Sequence, residues 1–191
     1  MIKKTIKSVC VFCGSQSGSN RKHKHETEQL GSLIAQKGFR LVYGGGNIGL
    51  MGILASQAQS NNCSILGVIP DHLIKKEVGK TDLKTLTVTE NMHERKKMMY
   101  DNSDAFIVLP GGVGTLDEFF ETLTWAQLGL HNKPVILLNI DNFWNPLLDL
   151  LSHQVKSGFM NKNINKLFIT LKTSQKAIDY LLDSNRQLSP E

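Results

Sequence analysis

The sequence predicts an α/β protein on a doubly wound parallel sheet in three layers. Three observations lead there. Seven short β-type runs recur along the chain, most are continuously apolar rather than alternating, and segments with helical periodicity lie between them. Continuous apolar runs suit strands covered on both faces, and strands alternating with helices imply right-handed parallel crossovers.

The runs are Ser8–Cys13, Arg40–Gly44, Ser64–Ile69, Thr85–Val88, Ala105–Leu109, Val135–Ile140 and Leu167–Leu171. Leu116, Phe119, Phe120, Leu123 and Gln127 step along one helix face before Gly129 stops it. Pro146 opens a helix that ends at Gly158, and Thr173 is the expected cap of a last helix reaching about Ser184. Asn91, with Glu94 three residues on, marks another helix start. No linker, repeat or low-complexity tract interrupts this pattern. The expectation is a single domain over residues 1–191 with its core at about 8–182.

Composition sets further bounds. The 191 residues are 40% hydrophobic and 20% charged, which is globular rather than disordered. The net charge of +5 is local: residues 1–40 hold eight Lys/Arg against two Glu, while the remainder is nearly neutral. Those cations are not interleaved with aromatic stacking residues, so no nucleic-acid partner is expected. Arg21, Lys22 and Lys24 follow the first glycine loop directly and are expected to help draw in an anion. No run approaches the roughly eighteen apolar residues of a membrane span. Three cysteines cannot close a disulfide framework, so a cytoplasmic setting is expected. Cys10 and Cys13 have C-x-x-C spacing, but an odd offset on a strand points them to opposite faces, and no metal site is expected.

Ligands of such sheets bind beyond the carboxyl ends of the strands, and three runs lead straight into glycine-rich turns there. They are Cys13-Gly14-Ser15-Gln16-Ser17-Gly18-Ser19, Gly44-Gly45-Gly46-Asn47-Ile48-Gly49, and Pro110-Gly111-Gly112-Val113-Gly114-Thr115. Glycine lets backbone approach a ligand closely, and a following helix adds unpaired N–H groups and partial positive charge. Three such loops on one edge point to an anionic, phosphorylated ligand. Gly44, Gly46 and Gly49 also satisfy G-x-G-x-x-G, with Asp71 22 residues further on. The dinucleotide reading is disfavoured, because this motif follows the second strand and Pro70 intervenes before Asp71.

Two charged clusters remain. Thr115-Leu116-Asp117-Glu118 has capping-box spacing, which by itself would explain Glu118. Arg95, Lys96 and Lys97 fall near a helix start, where cations oppose the dipole. They are either a solvated face or cations aimed at an anion, and Arg suits bidentate phosphate recognition.

Taken together, Met92-His93-Glu94-Arg95-Lys96 and Pro110–Glu118 resemble the LONELY GUY (LOG) family of phosphoribohydrolases, whose P-G-G-x-G-T-x-x-E motif was often labelled lysine decarboxylase. Val11–Ser15, Tyr43–Gly46, Gly49–Gly52 and Thr124–Gly129 extend the resemblance over about Ser8 to Leu182. The resemblance implies a Rossmann-like homodimeric enzyme. It would hydrolyse the N-glycosidic bond of a nucleoside 5′-monophosphate, a cytokinin riboside monophosphate or AMP, to free base and ribose 5-phosphate, with no cofactor.

Arg95 and Glu118 fall on the family's catalytic positions. Lys96, Gly111, Gly112, Val113, Gly114, Thr115, Leu116, Asp117 and Thr124 fall on its nucleotide-binding positions, and Glu77 aligns with an acidic one. Gly14, Ser15, Gly44, Gly45 and Met92 complete the expected substrate-binding set. Val113 stands where an aromatic is common and Asp117 where Glu is common, which bears on base preference. A nucleotide-binding module without turnover is the alternative. A literal decarboxylase would need a Schiff-base lysine in a pyridoxal phosphate site, and no lysine has that setting.

Overall fold

The computed structural model describes residues 5–74 and 79–186. Seven strands form one parallel sheet: β1 (Ser8–Phe12), β2 (Arg40–Tyr43), β3 (Ile65–Pro70), β4 (Leu86–Thr89), β5 (Ala105–Val108), β6 (Val135–Leu138) and β7 (Ile169–Leu171). Their spatial order is β4-β3-β2-β1-β5-β6-β7. The chain winds outward from β1 in one direction, then returns to β1's other side with β5. The order therefore reverses between β1 and β5, where the loops leaving these strands diverge and open a crevice.

Between the strands run α1 (Arg21–Gln36), α2 (Gly49–Ser60), the single turn α3 (Asp71–Ile74), α4 (Met92–Asp101), α5 (Val113–Gln127), α6 (Asn145–Lys156) and α7 (Ser174–Arg186). β1, β2, β3, β5 and β6 feed both layers by their two-residue period, while the edge strands β4 and β7 feed one. Val9, Val11 and Cys13 pack with Leu30 and Ile34 of α1, Leu54 of α2 and Ile178 of α7. Cys10 and Phe12 pack on the other side with Met99 of α4, Phe119 and Leu123 of α5, and Leu147 and Leu151 of α6. Cys10 and Cys13 thus lie in opposite layers, as their spacing requires.

Strand limits differ from the sequence expectation mainly at β6 and β7. The run predicted to reach Ile140 stops at Leu138, because Ile140–Asn142 make a tight turn in which Asp141 and Asn142 take positive φ. The last strand begins at Ile169, after a 3-10 turn over Lys162–Lys166. Among the described residues no helix is long and apolar enough to cross a membrane.

Candidate active site

The three glycine loops meet over the β1–β5 crevice and are hydrogen-bonded to one another. Gly14 N–H donates to the Pro110 carbonyl (3.1 Å), and Leu50 N–H donates to the Gly14 carbonyl (3.0 Å). Gly49 sits with φ 58°, and a Cβ there would overlap the Ser15 carbonyl, so only glycine lets the first and second loops touch. The cleft they frame opens to solvent. Its walls are Val11–Ser15, Gly44, Met51, Arg95, Gly112–Thr115 and Glu118.

One wall is the N-terminus of α5. Asn20 and Asn91 cap α1 and α4 with their side chains, but α5 starts after Gly112 with no side-chain cap and no acidic residue in its first turn. Its first N–H groups and the positive end of its dipole are therefore available to an anion. This start also corrects the capping-box reading. The extended backbone of Gly112 begins the helix at Val113, so Thr115 lies inside the first turn and Glu118 one turn beyond Gly114. That places Glu118 on the cleft side of α5, only 9% exposed.

Arg95 faces it from α4, 5% exposed. Its Nε donates to the Val68 carbonyl (3.1 Å), Nη2 to the Gly44 carbonyl (2.8 Å) and Nη1 to Met92 Sδ (3.7 Å). The guanidinium is thereby pegged to the end of β2 and to the backbone of β3. Gly44 is the residue that admits it, since a Cβ there would overlap Nη2. Beneath the cleft, burial pushes the Cys10 thiol well above the ordinary thiol range, with the nearby Glu118 carboxylate adding to the shift.

The expected basic row is divided by the fold. Lys96 is not aimed at the cleft; it bridges α4 and α5 through Asp117 Oδ2 (3.0 Å) and Glu121 Oε1 (3.1 Å). Burial would lower its pKa, but these two carboxylates outweigh burial and hold the ammonium above its ordinary value. Lys97 pairs with Asp101 on the outer face of α4. Lys22, expected to attract an anion, instead holds Asp141 Oδ1 at 2.6 Å.

A family model described as "Possible lysine decarboxylase" matches residues 51–181. A cytokinin riboside 5′-monophosphate phosphoribohydrolase of Rhodococcoides fascians is 45% identical over 91% of this chain and 88% of its own. LOG1 of Arabidopsis thaliana, with the same activity in its name, is 38% identical over 95% and 85%. This chain belongs to the LONELY GUY family. Among solved structures, a molybdenum cofactor binding protein of Rippkaea orientalis aligns with TM-score 0.68 and 25% identity, covering 93% of this chain and 96% of its own. The Moco carrier protein of Chlamydomonas reinhardtii, at TM-score 0.71 and 18% identity over 96% and 99%, shares the fold.

Of the residues that LONELY GUY resemblance singles out, the structure gathers Gly14, Ser15, Gly44, Arg95, Gly112, Val113, Gly114, Thr115 and Glu118 around the cleft. Others stand back from it. Met92 contacts Arg95 from behind, Gly111 packs against the Thr115 side chain, and the Gly45 carbonyl accepts from Lys80 N–H at 3.0 Å. Leu116 packs into the core layer beside α5. Asp117 is engaged with Lys96, and Thr124 is exposed with its hydroxyl on the Phe120 carbonyl (2.7 Å). Glu77 lies outside the described residues.

Val11, Phe12, Cys13 and Met51 also line the cleft without having been singled out as site residues. Their signal was position at the end of β1 and after the second glycine loop, masked by their apolar character. Among the described residues no lysine lines the cleft, and no cluster of three His, Cys, Asp or Glu could hold a metal.

Proposed function

We propose that this chain hydrolyses the N-glycosidic bond of a nucleoside 5′-monophosphate, a cytokinin riboside 5′-monophosphate or AMP, to free base and ribose 5-phosphate. One observation carries the reading: a buried carboxylate and a buried guanidinium, Glu118 and Arg95, share a cleft with the uncapped start of α5. The glycine loops and α5 N–H groups receive the 5′-phosphate, which fixes the ribose relative to Glu118. As the C1′–N bond breaks, positive charge grows on the ribose. The Glu118 carboxylate stabilises it and orients water, whose oxygen bonds to C1′ while its proton goes to the departing base. Arg95 supports the negative charge gathering on that base. Lys96, Asp117 and Thr124 act around the site rather than in it, and Glu77 belongs to the same reading.

The homodimer implied by the family is part of this proposal. Leu128 and Leu130, 67% and 65% exposed after the end of α5, form the apolar surface it would cover. Cytoplasmic residence completes the reading.

The test is release of base, followed by chromatography, from AMP and isopentenyladenosine monophosphate. Glu118→Gln keeps the shape and removes the charge, so the rate should fall by roughly 100-fold or more with the melting temperature nearly unchanged. A fully active Glu118→Gln enzyme would refute the mechanism. Calorimetric binding of both nucleotides without any base release would favour a carrier or sensor instead.

A further inference from the structure

Asp141 and Asn142, two consecutive non-glycine residues, hold left-handed backbone (φ 51° and 62°) in the turn between β6 and α6. Such conformations are costly for L-residues and persist where the surroundings over-determine them. Here the clamp is Asn139. Its Oδ1 accepts from Trp144 N–H (2.7 Å), its Nδ2 donates to Asn145 Oδ1 (2.9 Å), and its own N–H donates to the Leu171 carbonyl (2.7 Å).

The turn carries the Asp141 carboxylate across to the first glycine loop. Oδ2 accepts from Asn20 Nδ2 (2.7 Å) and Oδ1 from Lys22 Nζ (2.6 Å). The Lys22 hydrogen bond, followed by that of Asn20, holds the carboxyl below its ordinary pKa. Asn20 ends the loop and caps α1, its Oδ1 accepting from Lys22 N–H at 2.9 Å. One amide therefore serves both the helix and Asp141.

The near end of that loop is fastened by its own neighbours, through Gly14 on Pro110 and Leu50 on Gly14. Its middle, Gln16–Ser19, is exposed, with His23 beneath Gly18. The Asn20–Asp141 bond is the tether at its far end. We infer that Asp141 is a positioning residue for phosphate binding: the left-handed turn after β6 holds its carboxylate on Asn20, and this keeps Ser15, the cleft residue ahead of the exposed middle of the loop, set for the 5′-phosphate. Asp141 does not line the cleft, so its effect passes through Asn20. The inference rests on the reading of the cleft as a nucleoside monophosphate site.

The experiment compares wild type, Asp141→Ala, Asp141→Asn, Asn20→Ser and the Asn20→Ser/Asp141→Ala double variant in AMP hydrolysis, with calorimetric binding of ribose 5-phosphate alongside. Serine keeps a capping oxygen but is too short to reach Asp141 as well. Asp141→Ala and Asn20→Ser should each raise KM, and weaken ribose 5-phosphate binding, roughly three- to ten-fold with kcat within about two-fold. The double variant should be no worse than either single one. Asp141→Asn keeps an acceptor for Asn20 and should recover most of the affinity, which also covers a poorly folding alanine variant. A lowered melting temperature with unchanged KM would reduce Asp141 to a structural residue, and multiplicative effects would show that it does not act through Asn20. Wild type that neither hydrolyses AMP nor binds ribose 5-phosphate would overturn the reading of the cleft itself, and this inference with it.

Discussion

Substitution of Gly44 and Gly112 by alanine separates the two uses this protein makes of glycine. At Gly44 a methyl group would overlap Arg95 Nη2 and lie 3.2 Å from its Cζ, so the guanidinium must leave. It then gives up the hydrogen bonds to the Gly44 carbonyl (2.8 Å) and the Val68 carbonyl (3.1 Å). Bonds from a charged donor contribute about 1.5–3 kcal/mol each, and partial relaxation leaves a net cost of about 3 kcal/mol. For a chain of this size that is a fall of roughly 6–12 °C in melting temperature. Because Arg95 also lines the cleft, kcat/KM for AMP should drop by roughly 100-fold.

Gly112 behaves oppositely. Nothing lies within 4 Å of a Cβ built there, and its φ of −97° suits alanine. Gly112→Ala should leave stability within about 0.5 kcal/mol of wild type. On the proposed reading its methyl enters the cleft where backbone approaches the 5′-phosphate, so KM should rise roughly ten-fold. Thermal melts and AMP kinetics on both variants read the contrast. A Gly44→Ala protein as stable as wild type, or a Gly112→Ala protein with unchanged KM, would overturn these roles for the two glycines.

Two further outcomes concern the framework. His131 is buried, with Nδ1 accepting from Lys133 N–H (3.1 Å), so Nε2 carries the proton donated to the Thr122 carbonyl (2.9 Å). Burial, together with the nearby Lys133 charge, lowers its pKa below the ordinary 6.5. The folded protein therefore binds fewer protons than the unfolded chain as pH falls past 6.5. Stability should be complete above that pH and decline below it, toward the folded pKa. Urea midpoints between pH 7.5 and 5.5 measure the decline, and His131→Gln should flatten it. Gly31→Ala should destabilise despite a helix-propensity gain of about 1 kcal/mol, because the new Cβ would lie 2.7 Å from the Leu54 carbonyl oxygen of α2. A raised urea midpoint would contradict that.

The layered α/β class is legible in the chain because its signals are local: continuous apolar runs, helical periodicity between them, and glycine turns after the strands. The family is legible in the same way, since Met92–Lys96 and Pro110–Glu118 are short, contiguous motifs. What those motifs do depends on how the elements pack. Thr115–Glu118 by itself reads as a helix cap until the start of α5 at Val113 turns Glu118 onto the cleft. Arg95, Lys96 and Lys97 are three adjacent cations in sequence. The 100° step between helix residues sends one into the cleft wall, one to a bridge with α5 and one to Asp101 on its own helix.

The glycine of Gly44 answers to a guanidinium 51 residues away, and the left-handed Asp141 to an asparagine 121 residues away. Partnerships at that distance leave no periodic or local trace in the chain. They exist only once the sheet brings the ends of β1, β2, β5 and β6 to one edge.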